Sequence, residues 1–268
     1  MDEVEVVVAH SERATLRVGD VFLKVDSDQA RIDAEVEAMS LAPVPTPEIL
    51  WRRPPVLAIA AVPGAPLGRL GGSSTGSSSA WAAAGAAIRK LHDAPLPPRP
   101  GGAGRSVVAL TAELDDECER LVADGLLPTD LVHRNRQVAQ SALRPWTPVF
   151  THGDLQIAHV FLEGDEVTGI IDWSEAGQGD ALYDLATFTL GHEERLNDVL
   201  SGYGSGYGTG TATGTGNATG TGIAPDPTLD VIRGWWSLRS LMAVRWLSEH
   251  GFDPFAPGCE VDVLRSRM

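Results

Sequence analysis

The sequence predicts an α+β fold of two parts: a small N-terminal lobe of antiparallel strands with one helix over residues 1–62, and a mainly helical lobe over residues 63–268. Three observations carry this expectation. The chain opens with apolar, β-branched runs, Val4–Ala9, Ala14–Val18 and Val21–Val25, parted by a Ser-Glu-Arg stretch and by Gly19-Asp20. From Trp81 onward, apolar residues recur at helical spacing in blocks that proline clusters separate. Between residues 149 and 172, short apolar runs alternate with loops, two of which carry Asp154 and Asp172.

In chain order, the first three runs read as a meander, with Lys24 inside the apolar strand Phe22-Leu23-Lys24-Val25. A lysine there either snorkels to the sheet surface or is paired in a cleft. Ile32, Val36 and Met39 mark one face of a helix over Asp28–Ala42, which Pro43, Pro45 and Pro47 terminate. Residues 43–50 are then extended, and Val56–Val62 is an apolar strand running into Pro63-Gly64. Gly68–Ser79 is a Gly/Ser-rich loop. Helices follow on the faces Trp81, Ala84, Ile88, Leu91 and Leu110, Leu114, Cys118, Leu121, with a further one over Leu131–Leu143.

The stretch that organises the chain is Thr151–Phe161 with its continuation Gly169–Trp173. Asp154 follows Val149-Phe150 through a His-Gly turn, and Asp172 ends the run Val167–Ile171. The polar residues 163–166 between Val160–Leu162 and that run read as a hairpin turn. The hairpin should bring both acids to one end of a small sheet. Helical patterns return over Ala181–Leu190, where Asp180 and Asp184 cap or brace the helix, and the segment Glu193–Leu200 continues the larger lobe. Residues 201–224 form a Gly/Thr-rich, low-complexity insertion expected to be flexible. In the last long helix, Leu229–His250, a stripe of Val231, Trp235, Leu238, Met242 and Trp246 should bury two tryptophans. Trp236 and Arg239 fall off that stripe, and Glu175, Glu260 and Asp262 are candidate acids near a pocket.

His152-Gly153-Asp154, Ile171-Asp172-Trp173 and Gly179–Ala186 together resemble the aminoglycoside phosphotransferase and choline kinase branch of the protein-kinase-like superfamily. The resemblance implies a protein-kinase-like two-lobe fold. It implies that Asp154 orients or deprotonates an acceptor hydroxyl and that Asp172 binds Mg²⁺, with Mn²⁺ as an alternative ion. It implies that Lys24, held by Glu35, contacts the ATP phosphates, and that backbone around Ala60 to Val62 takes the adenine. One position departs from the pattern: His159 stands where that family carries Asn. Imidazole nitrogen suits transition metals better than Mg²⁺, and His159 either ligates the metal, bonds a metal-bound water, or holds the loop together.

A formal charge of −15 argues against general nucleic-acid binding and favours a cationic small-molecule acceptor, aminoglycoside-like or otherwise. Two widely separated cysteines suggest no disulfide framework. The start lacks a signal-peptide pattern and no apolar run is long enough to span a membrane, so a cytoplasmic protein is expected. Three functions are consistent with these residues. The first is an ATP-dependent phosphotransferase acting on a small-molecule hydroxyl. The second is a nucleotide-binding module with weak or no catalysis, motivated by His159. The third is a metal-dependent hydrolase built on His152, Asp154, His159 and Asp172.

Overall fold

The structure is a computed structural model and describes residues 3–10, 12–69, 72–97, 106–204 and 227–266. Strands β1 (Val4–His10), β2 (Arg13–Val18) and β3 (Val21–Asp26) form the expected meander, joined by β4 (Ile49–Arg53) and β5 (Val56–Ala60) in the antiparallel order β1-β2-β3-β5-β4. Helix α1 (Gln29–Leu41) lies between β3 and β4, and the carboxylate of its N-cap, Asp28, accepts from the Ala30 N–H. Its buried residues are Ile32, Glu35, Ala38 and Met39, so one charged residue stands in an otherwise apolar stripe. Strand β4 was not apparent in the sequence because all five of its residues are exposed. With neither face buried it shows no alternation, and only pairing to β5 makes it a strand.

The rest of the described chain is mainly helical. Helices α2 (Ser78–His92), α3 (Val107–Ala123) and α4 (Thr129–Ala139) precede the loops of interest. Helices α5 (Ala181–Phe188), α6 (Leu196–Tyr203), α7 (Pro227–Glu249) and α8 (Glu260–Arg265) follow them. Two small sheets lie between these groups. One has the order β6-β8-β9, from Ala65–Pro66, Val160–Glu163 and Glu166–Ile170; the other pairs β7 (Val149–Thr151) with β10 (Gly177–Gly179). The two aspartates therefore follow strands of different sheets, Asp154 after β7 and Asp172 after β9, rather than sharing one sheet end. Ser201–Tyr203 complete α6 and were wrongly included in the low-complexity insertion, whose residues 205–224 lie outside the described residues.

A single apolar core runs through the helical part, centred on Trp81, Ile88, Leu114, Phe150, Trp173 and Phe188. Helix α7 crosses it and packs against α3, α4, α5 and α8. Because neighbours surround it, burial does not follow one narrow stripe: Trp235 and Trp236 are the buried tryptophans of this helix, while its Trp246 is 47% exposed on the final turns. Cys118 is buried and Cys259 half-buried, and both are free thiols. Among the described residues no helix is long and apolar enough to cross a membrane.

Helices α2 and α6 approach closely enough that side chains are excluded at the crossing. A Cβ on Gly85 would lie 2.1 Å from the Val199 carbonyl oxygen. Gly85→Ala is therefore expected to force the helices apart and to lower the unfolding free energy by roughly 1–3 kcal/mol, measurable by urea denaturation.

Candidate active site

The site is assembled by polar groups that join the loop after β7 to the end of β9. At Gly153 the chain turns with φ +86, and a Cβ there would stand 2.1 Å from the Glu175 carbonyl oxygen, so only glycine fits the bend. Asp184, fully buried in the first turn of α5, accepts from the His152 N–H (2.7 Å) and the Gly153 N–H (3.0 Å), and meets His92 Nε2 at 3.1 Å. His92 Nδ1 in turn meets the Tyr203 hydroxyl at 2.7 Å. Asp184 thus braces the loop, and His92, the last residue of α2, orients Asp184.

His152 is buried against Trp173, with ring centroids 4.7 Å apart. Its Nε2–H donates to the Ile171 carbonyl (2.9 Å), and its Nδ1 accepts from the Asp154 N–H (3.3 Å). Burial, reinforced by the neighbouring His159, lowers its pKa and keeps it neutral, the state in which one ring both donates and accepts. The His152 side chain is the link between the loop of residue 154 and the end of β9 before residue 172.

Asp172 has φ 65 and ψ 63, the one left-handed non-glycine among the described residues. Such a conformation costs about 1–3 kcal/mol and persists where surrounding bonds impose it. Here the carboxylate reaches across to β3: Lys24 Nζ lies 2.8 Å from Asp172 Oδ1 and 2.5 Å from Glu35 Oε1. Burial works against charge on Lys24 but the Asp172 and Glu35 carboxylates outweigh it, so the lysine pKa is raised. Burial also lifts Glu35 above its ordinary value, against the pull of Lys24. For Asp172 burial is outweighed by Lys24 and His159, and its carboxyl is held well below the usual range. His159 donates Nδ1–H to the Asp154 carbonyl oxygen (2.8 Å), and its Nε2 faces Asp172 Oδ2 at 3.8 Å.

The Asp154 carboxylate faces a cavity of about 830 Å³. Gln156 Nε2 donates to both of its oxygens at 3.0 Å, and Arg239 Nη2 lies 3.2 Å from Oδ1. Arg239 is held in turn by the buried Glu260 at 3.0 Å. Burial opposes the charge on Asp154, but Arg239, His159 and Gln156 prevail and its pKa is lowered. Gln156 carries no pattern that marks it in the sequence, and Arg239 falls off the predicted apolar stripe. Arg239 lies four residues beyond Trp235 and three before Met242, and all three line the cavity, a helical spacing that would have marked it. Glu175 lines the cavity as suggested, whereas Asp262 accepts from the Gly258 N–H and Trp236 donates to the Ala186 carbonyl, neither lining it.

At the end of β5, the Ala60 N–H is engaged by the Glu48 carbonyl (2.9 Å) and the Ala61 N–H by the Asp20 carbonyl (2.8 Å). The Ala60 amide is therefore closed to a ligand, while its carbonyl and the Val62 N–H take no part in those bonds.

Two outcomes follow from this geometry. Asp184→Ala leaves two buried N–H groups and His92 without their acceptor and should cost about 3 kcal/mol or more of stability, read as a lowered denaturation midpoint. Asp154 and Asp172 are depressed below the ordinary aspartate value of 3.8. Their stabilisation is complete above that value and is lost as pH falls through the depressed ones. Urea unfolding between pH 5 and about 3 should show falling stability, with a shallower fall in Arg239→Gln, where Asp154 has lost its partner.

Comparison with known proteins agrees with this architecture. The family model described as the phosphotransferase enzyme family, APH, matches residues 8–216. Streptomycin 3''-kinase of Streptomyces griseus is 31% identical over 231 residues, covering 75% of this chain and 77% of that protein. Among solved structures, the macrolide 2'-phosphotransferase MphH from Brachybacterium faecium superposes with a TM-score of 0.65 at 20% identity, over 99% of this chain and 91% of the other. The GDP and kanamycin complex of APH(2'')-IIia superposes with a TM-score of 0.69 at 16% identity, over 99% and 92%. The chain belongs to the phosphotransferase enzyme family and has the kinase-like fold of the aminoglycoside phosphotransferases.

Proposed function

We propose that this small-molecule kinase uses ATP and transfers its γ-phosphoryl group to a hydroxyl of an aminoglycoside-like or other cationic compound, with the nucleotide held between residues 1–62 and 63–268. The observation that carries the reading is the Lys24–Asp172 ion pair, made across 148 residues of sequence beside a cavity headed by Asp154. Nucleotide complexes among the structural neighbours, with GDP and with ADP, support a nucleotide as the donor.

In this reading the Ala60 carbonyl and the Val62 N–H face the adenine edge, and Lys24, oriented by Glu35, moves from Asp172 to the phosphates. A divalent ion fits the donor set of Asp172 with His159 Nε2. Among the described residues no cluster of three or more such ligands exists, so phosphate and water would complete the shell, as is usual for Mg²⁺. Such an ion, Mg²⁺ or Mn²⁺, supplies charge neutralisation on the phosphates. The acceptor hydroxyl oxygen bonds to the γ-phosphorus, the bond from that phosphorus to the β,γ-bridging oxygen breaks, and ADP leaves. The hydroxyl proton passes to Asp154 Oδ2, the oxygen that Arg239 does not touch. A carboxylate made less basic by Arg239 is a weak base, so it orients the hydroxyl first and takes the proton late, which suits a loose phosphoryl-transfer transition state.

The binding-only alternative rested on His159, and Nε2, directed toward Asp172, offers a ligand atom at that position. The hydrolase alternative needs His152 as a ligand, and both of its ring nitrogens are engaged within the protein.

The test is ATP-dependent mass gain of an acceptor together with ADP release. Asp154→Ala should lose about 10²-fold or more in kcat while still binding nucleotide. Asp172→Asn tolerates the left-handed backbone and should fold but lose turnover. Undiminished turnover in Asp154→Ala would remove the proposed role of that residue.

A further inference from the structure

The cavity that receives the acceptor has fewer available negative charges than its lining suggests. Asp180 caps α5 through the Leu182 N–H, and its Oδ2 accepts from Arg144 (3.1 Å) and from Trp235 Nε1–H (2.9 Å). Asp154 is paired with Arg239, whose guanidinium is itself part of the lining and is shared with the buried Glu260. Glu175 alone of the lining acids is exposed and has no hydrogen-bond or ion-pair partner among the described residues. A polyamine would bring several ammonium groups to a site that offers, among the described residues, one unpaired carboxylate and places a guanidinium beside Asp154.

The apolar side is extensive and rigid. Trp146 meets Trp235 edge-to-face at 5.9 Å, and Trp235 meets Tyr183 edge-to-face at 5.1 Å. The Trp235 ring is pinned by its bond to Asp180. Leu238, Met242 and Trp246 continue the wall along α7. Aromatic surface held in place binds an apolar face without an ordering cost, and its negative ring faces also tolerate a single cation.

We propose that the acceptor is a molecule with one broad apolar face and a single amine, not a polyamine, and that Arg239 together with the Trp146–Trp235–Tyr183 wall enforces the choice. The use of this cavity for an acceptor rests on the phosphotransfer reading; the binding preference itself does not.

The experiment measures binding to the full chain by calorimetry and by tryptophan fluorescence, using a macrolide that bears one amino sugar and kanamycin as the polyamine. The macrolide should bind at least about 30-fold more tightly. Trp146→Ala should weaken it about tenfold; Trp246→Ala, at an exposed position, makes the same test if the first variant does not fold. Arg239→Gln should narrow the gap between the two ligands. Kanamycin binding as tightly as the macrolide, or binding of neither, overturns the proposal. Phosphate addition is read separately by mass. Macrolide preference without phosphate addition upholds this inference and defeats the phosphotransfer reading, whereas kanamycin phosphorylated as efficiently as the macrolide does the reverse.

Discussion

The Lys24 ammonium, enclosed between Glu35 and Asp172, is the interaction on which the arrangement depends. Its side chain is 14% exposed and that of Glu35 4%. A cation so withdrawn from water must have counter-charges at hydrogen-bond distance, because an unpaired buried charge costs several kcal/mol. One counter-charge comes from α1 and the other from the far side of the molecule, after β9. The requirement to neutralise one lysine therefore ties the N-terminal sheet to the helical part at the place where the proposed chemistry occurs. Two carboxylates around one ammonium leave an excess of negative charge, which suits a site whose proposed ligands include a divalent cation.

A second constraint lies beneath it. The aspartates belong to loops that follow different sheets, and nothing in strand pairing holds those loops together. Buried polar side chains do so instead. Asp184 collects the N–H groups of His152 and Gly153, and the His152 ring reaches the Ile171 carbonyl one residue before Asp172. Each of these groups is satisfied within the protein, so the bracket is rigid, and it can hold Asp172 in a left-handed conformation that an aspartate would otherwise leave. Strain at that residue and satisfaction around it are two aspects of one preorganised loop pair.

Charge on the whole chain and charge at the acceptor cavity point in different directions. The formal charge of −15 favours cations at long range. Close to Asp154 the Arg239 guanidinium, shared with Glu260, offsets part of that field, and aromatic and aliphatic side chains form much of the remaining surface. Net charge describes how ligands are attracted, and local pairing describes which of them fit.

Much of the fold and part of the site were legible in the sequence. Periodicity located the first three strands, α1, α2, α3 and the acid-bearing loops, because burial of one face leaves a regular pattern. The family resemblance singled out Lys24, Glu35, Asp154, Asp172 and His159, and these lie together in space. Strand β4 left no such pattern, since neither face is buried. The burial of Trp236 in place of Trp246, and the service of Arg239 to Asp154, depend on which helices surround α7, and spacing along one helix carries no record of its neighbours. The sequence by itself determined most of the elements and singled out the candidate site residues, because both depend on local pattern and residue type. Only the tertiary structure decided how Asp154 is paired, which His159 nitrogen faces Asp172 and which acids of the cavity remain unpaired, because those depend on contacts made in the folded chain.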